Sequence, residues 1–313
     1  MIDRAQLVCR TADAGGDIDP LRAWLSVPDL RGKSHLIFLI HGYNDTVDDA
    51  QAAYASFRKL QAAKVAAGLD WTFGATLVEV FWPGDARWGI ARPAFYPWAL
   101  PLADKTAELL SEIVKDLCSY AGGELTIDLV CHSVGNRVAM RMLSLLGNPS
   151  NLVVRRAVHM AAAVPVGRLE TQGDEFSRGL ADETAVGKAA SFYSSGDDVL
   201  AYAFPLGETA NFPQEGVLPV ALGHRDWPLG HSRPGMGQFD ASPAGHGDYW
   251  FGDSVQTKVR DVLDLGVSGP AETPVHATPV AAALPARGLE ARATQRRQTG
   301  QELYDASECG STT

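Results

Sequence analysis

Leu125-Thr126-Ile127-Asp128-Leu129-Val130-Cys131-His132-Ser133-Val134-Gly135-Asn136 opens with a strand-like apolar run and passes through a tight turn. From Val134 to Leu146 the pattern is helical. A serine between strand and helix, with a small residue two positions before it and glycine two after, follows the Gly-x-Ser-x-Gly nucleophile-elbow pattern. Cys131 stands where that pattern has its first glycine. A serine there projects above the carboxyl edge of a sheet, beside the free N–H groups of a helix start. The plain alternative is that Ser133 only caps the helix. Cys131 is a second nucleophile candidate, although a small buried cysteine is commonly just packed.

Working outward, His35–Ile40 (HLIFLI) is short and almost wholly apolar, as expected of a strand covered on both faces. Ala75–Phe81, Leu152–Met160 and Ala189–Tyr193 read as further strands, and Trp24–Val27 as another. Asp48–Ala67, Leu102–Tyr120 and Asp248–Leu265 read as helices. Strands alternating with helices predict an α/β fold with a mostly parallel central sheet and helices on both faces. Ligands of such sheets bind at the carboxyl ends of strands. Four polar clusters fall there: HGYN after HLIFLI, WPGD after LVEVF, CHSVGN after LTIDLV, and SSGDD after ASFY.

A serine needs a base, and the base needs an orienting acid. The α/β-hydrolase order is Ser, then Asp or Glu, then His. Asp197 follows a strand and a small-residue turn and is the preferred acid; its neighbour Asp198 is the alternative. Either could instead cap a helix starting near Val199, leaving the other for chemistry. Among the downstream histidines, His246 sits on a glycine-flanked loop (Ala244-Gly245-His246-Gly247) just before the last helix. His224 and His231 lie in a Gly/Pro-rich stretch that suits a pocket wall, and His276 lies near the end of the chain. The backbone N–H groups of Val134 and Tyr43 match the two oxyanion donors of this mechanism. His41 and His132 read as structural, with His41 bonding backbone in the floor of the site.

The chain of 313 residues carries 27 basic and 37 acidic side chains, a net charge of −10. That balance argues against nucleic acid as a default partner. Four cysteines without a CxxC pair make neither a disulfide framework nor a structural zinc site. No cofactor or metal is expected. The single glycine of HGYNDT excludes the dinucleotide fingerprint of a Rossmann oxidoreductase. No apolar run reaches the roughly 20 residues of a membrane span. The absence of a signal-like start leads to the expectation of a cytoplasmic protein, with signal-independent secretion left open.

Composition changes near residue 266. Residues 267–313 hold four prolines, many alanines and one aromatic, Tyr304, and are expected to be a low-complexity disordered tail. With five acids and four arginines the tail has a net charge of −1, so about −9 belongs to residues 1–266. Within that domain, residues around 165–187 and 205–245 read as lid-like insertions. Phe81, Trp82, Trp88, Phe95, Tyr96 and Trp98 form one aromatic group; Phe204, Phe212, Trp227, Tyr249 and Trp250 form another. They either line an apolar pocket or pack in the core.

Together, HGYNDTVDDA, VFWPGDA, Tyr96 to Asp104, LVCHSVGNRVAMRML, SSGDDVL and GHGDYW resemble the DUF900 family, bacterial α/β-hydrolases described as esterase/lipase-like. The resemblance covers roughly residues 33–265. It implies an α/β-hydrolase fold, Ser133, Asp197 and His246 as triad, and Tyr43 and Val134 as oxyanion donors. Cys131 and the proline-rich stretch after Phe204 depart from the family pattern. The expected activity is that of a serine hydrolase on a small-molecule carboxylic ester with an apolar part. An amidase or peptidase with the same triad, and a non-catalytic binding module on this scaffold, are the alternatives.

Overall fold

The computed structural model describes residues 3–11, 16–65, 70–72, 74–85, 96–147, 149–166, 186–211, 217–226 and 236–265. Seven strands form one sheet: β1 (Arg4–Val8), β2 (His35–Ile40), β3 (Thr76–Phe81), β4 (Leu125–His132), β5 (Leu152–Met160), β6 (Val186–Tyr193) and β7 (Met236–Asp240). Their order is β1-β3-β2-β4-β5-β6-β7, and every adjacent pair is parallel. All carboxyl ends therefore lie along one edge.

The chain runs from β2 outward to β3, then back past β2 to β4. Right-handed crossovers in opposite directions put their helices on opposite faces. Helix α2 (Val47–Ala62) and the closing helix α6 (Asp253–Leu263) pack together, while α3 (Tyr96–Tyr120) packs on α4 (Gly135–Leu146). The direction reverses between β2 and β4, and a crevice opens at such a switch point.

The central strands are buried on both faces, and this is why they read as unbroken apolar runs. Five of six residues in HLIFLI and all six in TLVEVF are buried. Glu79, the one charge in β3, meets Arg58 and Gln6, so its carboxylate is paired rather than stranded. Helix α2 starts with a capping box in which Thr46 and Asp49 each satisfy the other's backbone N–H.

Several boundaries differ from expectation. Trp24–Val27 is not a strand. Asp19 accepts from the Arg22 N–H at 3.0 Å and Pro20 supplies a helix-ready φ, so α1 (Pro20–Ser26) forms and passes into a 3₁₀ turn at Val27–Leu30. Helix α3 begins at Tyr96, not Leu102, and α6 begins at Asp253, because Asp248–Gly252 is a turn. Strands β1 and β7 escaped prediction: both are edge strands of five residues, without a fully apolar run. β7 lies inside the 205–245 stretch expected as an insertion, as does all but the first residue of α5 (Phe204–Asn211). Residues 167–185 and 266–313, which include most of the other expected insertion and the expected tail, lie outside the described residues.

Candidate active site

Ser133 sits directly after β4 with φ of +51°, a backbone state uncommon for a residue with a Cβ. Its neighbours hold it there. Its N–H donates to the Met160 carbonyl at 3.0 Å, and its carbonyl accepts from the Ala163 N–H and the Asn136 side-chain amide. The same Asn136 amide donates to the Met160 carbonyl at 3.1 Å, while its oxygen accepts from His159 Nδ1 at 2.9 Å.

Gly135 is required by space. A Cβ there would lie 2.4 Å from the His41 carbonyl oxygen and 2.6 Å from that of Ile40. Gly42 is similarly tight: its Cβ would lie 2.9 Å from both His132 Nδ1 and Ser133 Cβ. The loop after β2 thus presses against the elbow at the switch point.

Three side chains meet above this turn. His246 Nε2 lies 2.8 Å from Ser133 Oγ, and His246 Nδ1 lies 2.8 Å from Asp197 Oδ2. A carboxylate only accepts, so Nδ1 carries the imidazole proton and Nε2 is left to accept from the serine hydroxyl. Asp197 is fully buried. Its second oxygen accepts the Leu200 N–H at 3.0 Å, so one carboxylate both caps the following turn and orients the histidine. Asp198 is exposed and makes no side-chain cap bond.

The His246 loop is fixed at several points. Asp248 Oδ2 accepts the Gly245 N–H at 2.8 Å, closing the turn around His246. Ser242 Oγ accepts the Ser195 N–H at 3.1 Å, joining the His246 loop to the Asp197 loop. His132 Nε2 lies 2.7 Å from the His246 carbonyl oxygen.

Val134 and Tyr43 occupy the positions after Ser133 and after Gly42. The Val134 N–H donates no hydrogen bond among the described residues. The Tyr43 loop is braced by Asp45, whose carboxylate accepts the Gly42 N–H at 3.0 Å, and by Gly84, whose carbonyl accepts the Asn44 N–H. Burial raises the Asp45 carboxyl above its ordinary range, against the nearby His41 ring.

His41 lies in the floor. Its Nδ1 is 2.9 Å from the Gly42 carbonyl and its Nε2 accepts from the Trp82 N–H. Burial holds its pKa below the usual value. Cys131 is fully buried in β4, and burial pushes its thiol far up, away from thiolate chemistry. Phe81, Trp82, Phe204, Tyr249 and Trp250 are core residues, whereas Trp98 is exposed. Trp88, Phe95, Phe212, Trp227, His231 and His276 lie outside the described residues, and nothing is described of the Tyr96 side chain.

Asn136, His159 and Asp45 serve the site without having been singled out in the sequence. Each had a faint signal: a polar residue one position past the elbow glycine, a histidine in an apolar strand, and an aspartate three residues after a glycine.

The parallel sheet, its reversal between β2 and β4, and the strand–elbow–helix turn define an α/β-hydrolase fold. No family model matches the chain, and no curated protein matches it. Similar solved structures include TT1662 from Thermus thermophilus, 14% identical over 74% of this chain and 89% of that one, with a TM-score of 0.40. The lin2722 product from Listeria innocua is 11% identical over 74% and 94%, with a TM-score of 0.42. A monoacylglycerol lipase from Paleococcus ferrophilus is 10% identical over 73% and 94%, with a TM-score of 0.34. Among the described residues, no helix is long and apolar enough to cross a membrane.

Proposed function

We propose that this protein is a serine hydrolase acting on carboxylic esters, with Ser133 as nucleophile, His246 as base and Asp197 as the orienting acid. The carrying observation is the hydrogen-bonded chain from Ser133 Oγ through His246 to Asp197, with both contacts at 2.8 Å. The likeness of HGYN, WPGD and CHSVGN to the DUF900 pattern supports the same reading.

The Ser133 hydroxyl attacks the ester carbonyl carbon as its proton passes to His246 Nε2. Asp197 stabilises the imidazolium that forms. The oxyanion is held by the N–H groups of Val134 and Tyr43, and losing one such donor costs about 3–4 kcal/mol of barrier. Collapse breaks the bond to the alcohol, which takes the proton from His246. Water, activated by the same imidazole, then releases the acid and restores the serine. Every step is carried by protein groups, with no call on a metal or cofactor.

A cleft of about 420 Å³ lies beside the Asp197 turn, lined by Leu200, Tyr202, Leu206, Leu218 and Val220 together with His224 and Arg225, and none of the three triad residues lines it. The test is a chain-length series of p-nitrophenyl esters beside a p-nitroanilide, with Ser133→Ala as control. The reading expects ester turnover that rises with acyl length and vanishes in the variant. Turnover of the anilide alone would move the activity to amides, and no turnover at any length would count against an esterase.

A further inference from the structure

We propose that His132 is a positioning residue that holds the base loop over the nucleophile, through its hydrogen bond to the His246 backbone. The inference rests on the Ser133–His246–Asp197 reading.

The His132 ring touches the loop that carries His246 and the loop that carries Gly42. Its backbone is bonded to Ser133. Its Nε2 lies 2.7 Å from the His246 carbonyl oxygen. Its Nδ1 faces Gly42 on the oxyanion loop, where a Cβ would come within 2.9 Å. The ring also lies 5.1 Å from the His246 ring, centroid to centroid, and 6.0 Å and 6.2 Å from those of Tyr249 and Trp250.

The protonation state follows from the geometry. A carbonyl only accepts, so Nε2 carries the proton. Nδ1 is then a bare lone pair, buried and without a hydrogen-bond partner among the described residues. Leaving a buried acceptor unmade is costly, and a residue chosen only to fill space would be apolar. Burial and the neighbouring His246 lower the His132 pKa to about 3, so the ring stays neutral and keeps its single donor near neutral pH. That donor fixes the backbone of the same residue whose imidazole must stay 2.8 Å from Ser133 Oγ.

Two substitutions separate positioning from packing. In His132→Gln the amide nitrogen can take the place of Nε2 and reach the His246 carbonyl. In His132→Asn the amide is one bond too short. The measurements are kcat and KM on the best p-nitrophenyl ester, fluorophosphonate labelling of Ser133, and melting temperature. A misplaced reacting group costs up to about a hundredfold, so His132→Asn should lose roughly 10- to 100-fold in kcat and in labelling rate, with KM within about twofold. Labelling should still reach one adduct per chain, and His132→Gln should recover most of the rate at a similar melting temperature.

Equal rates in the Asn and Gln variants would overturn the inference, as would a His132→Asn rate within about threefold of wild type. Both results leave the triad reading intact as long as wild-type Ser133 labels. If wild-type Ser133 does not label, the triad reading itself fails and the inference with it.

Discussion

Asp197→Asn is the substitution that separates chemistry from folding at this site. Asp197 is fully buried and carries two bonds, one to the Leu200 N–H and one to His246 Nδ1. The amide oxygen can still accept from Leu200, so the turn keeps its cap. The amide NH₂ then points at His246 Nδ1, which must become an acceptor. The imidazole proton moves to Nε2, facing Ser133 Oγ, and the base is blocked. The fold should survive with a melting temperature within a few degrees of wild type. Loss of the correct tautomer in a Ser-His-Asp site costs about 10⁴ in kcat, equivalent to roughly 5.5 kcal/mol of barrier. Asp198→Asn, one residue on and exposed, should leave kcat within about twofold, as surface changes usually do. Both variants are assayed on the best p-nitrophenyl ester with a thermal melt alongside. Retention of more than about a tenth of wild-type kcat in Asp197→Asn, against the loss just stated, would refute the reasoning. So would a collapse of activity in Asp198→Asn instead.

Gly135→Ala drives a Cβ to within 2.4 Å of the His41 carbonyl and should destabilise the fold by about 1–3 kcal/mol or more, read by urea denaturation. Gly123→Ala, with nothing within 4 Å, is the silent control. Asn136→Ala strips donors from the Ser133 and Met160 carbonyls and an acceptor from His159, and should cost about 2–4 kcal/mol together with most of the activity. Acid should weaken the fold well above the carboxylate range. Burial lowers His132 to about 3 and His159 to about 4, whereas both titrate near 6.5 when unfolded. Between those values the unfolded chain binds protons that the folded one refuses, so stability falls as pH drops. The two groups together give a slope of roughly 2–3 kcal/mol per pH unit near pH 5, offset in part by the raised Asp45. Stability that is flat from roughly pH 6 to 4.5 in urea titrations would contradict this account.

What could be read from the sequence was set by burial. HLIFLI and TLVEVF announce themselves because both faces are covered, and the helices between them follow from glycine stops and caps. RAQLV and MGQFD could not be found that way, since an edge strand needs no apolar run. Trp24–Val27 read as a strand, but the cap at Asp19 decided for helix.

The acid shows a second limit. Asp197 was the preferred acid, but Asp197 and Asp198 were equally good caps by sequence, so that one could cap and leave the other for chemistry. The two oxygens of Asp197 make both contacts, one to the Leu200 N–H and one to His246 Nδ1, which only geometry reveals. The His132 contact left no sequence trace at all, because its partner is a backbone carbonyl 114 residues away.

The central claim is that Ser133 is a nucleophile activated by His246. Incubation of the purified protein with a fluorophosphonate, followed by intact mass and peptide mapping, tests it most directly. The account predicts one adduct per chain, on the peptide carrying Ser133, absent in Ser133→Ala and strongly slowed when His246 is replaced by alanine. Equal labelling of wild type and Ser133→Ala, or an adduct on another residue, would contradict it.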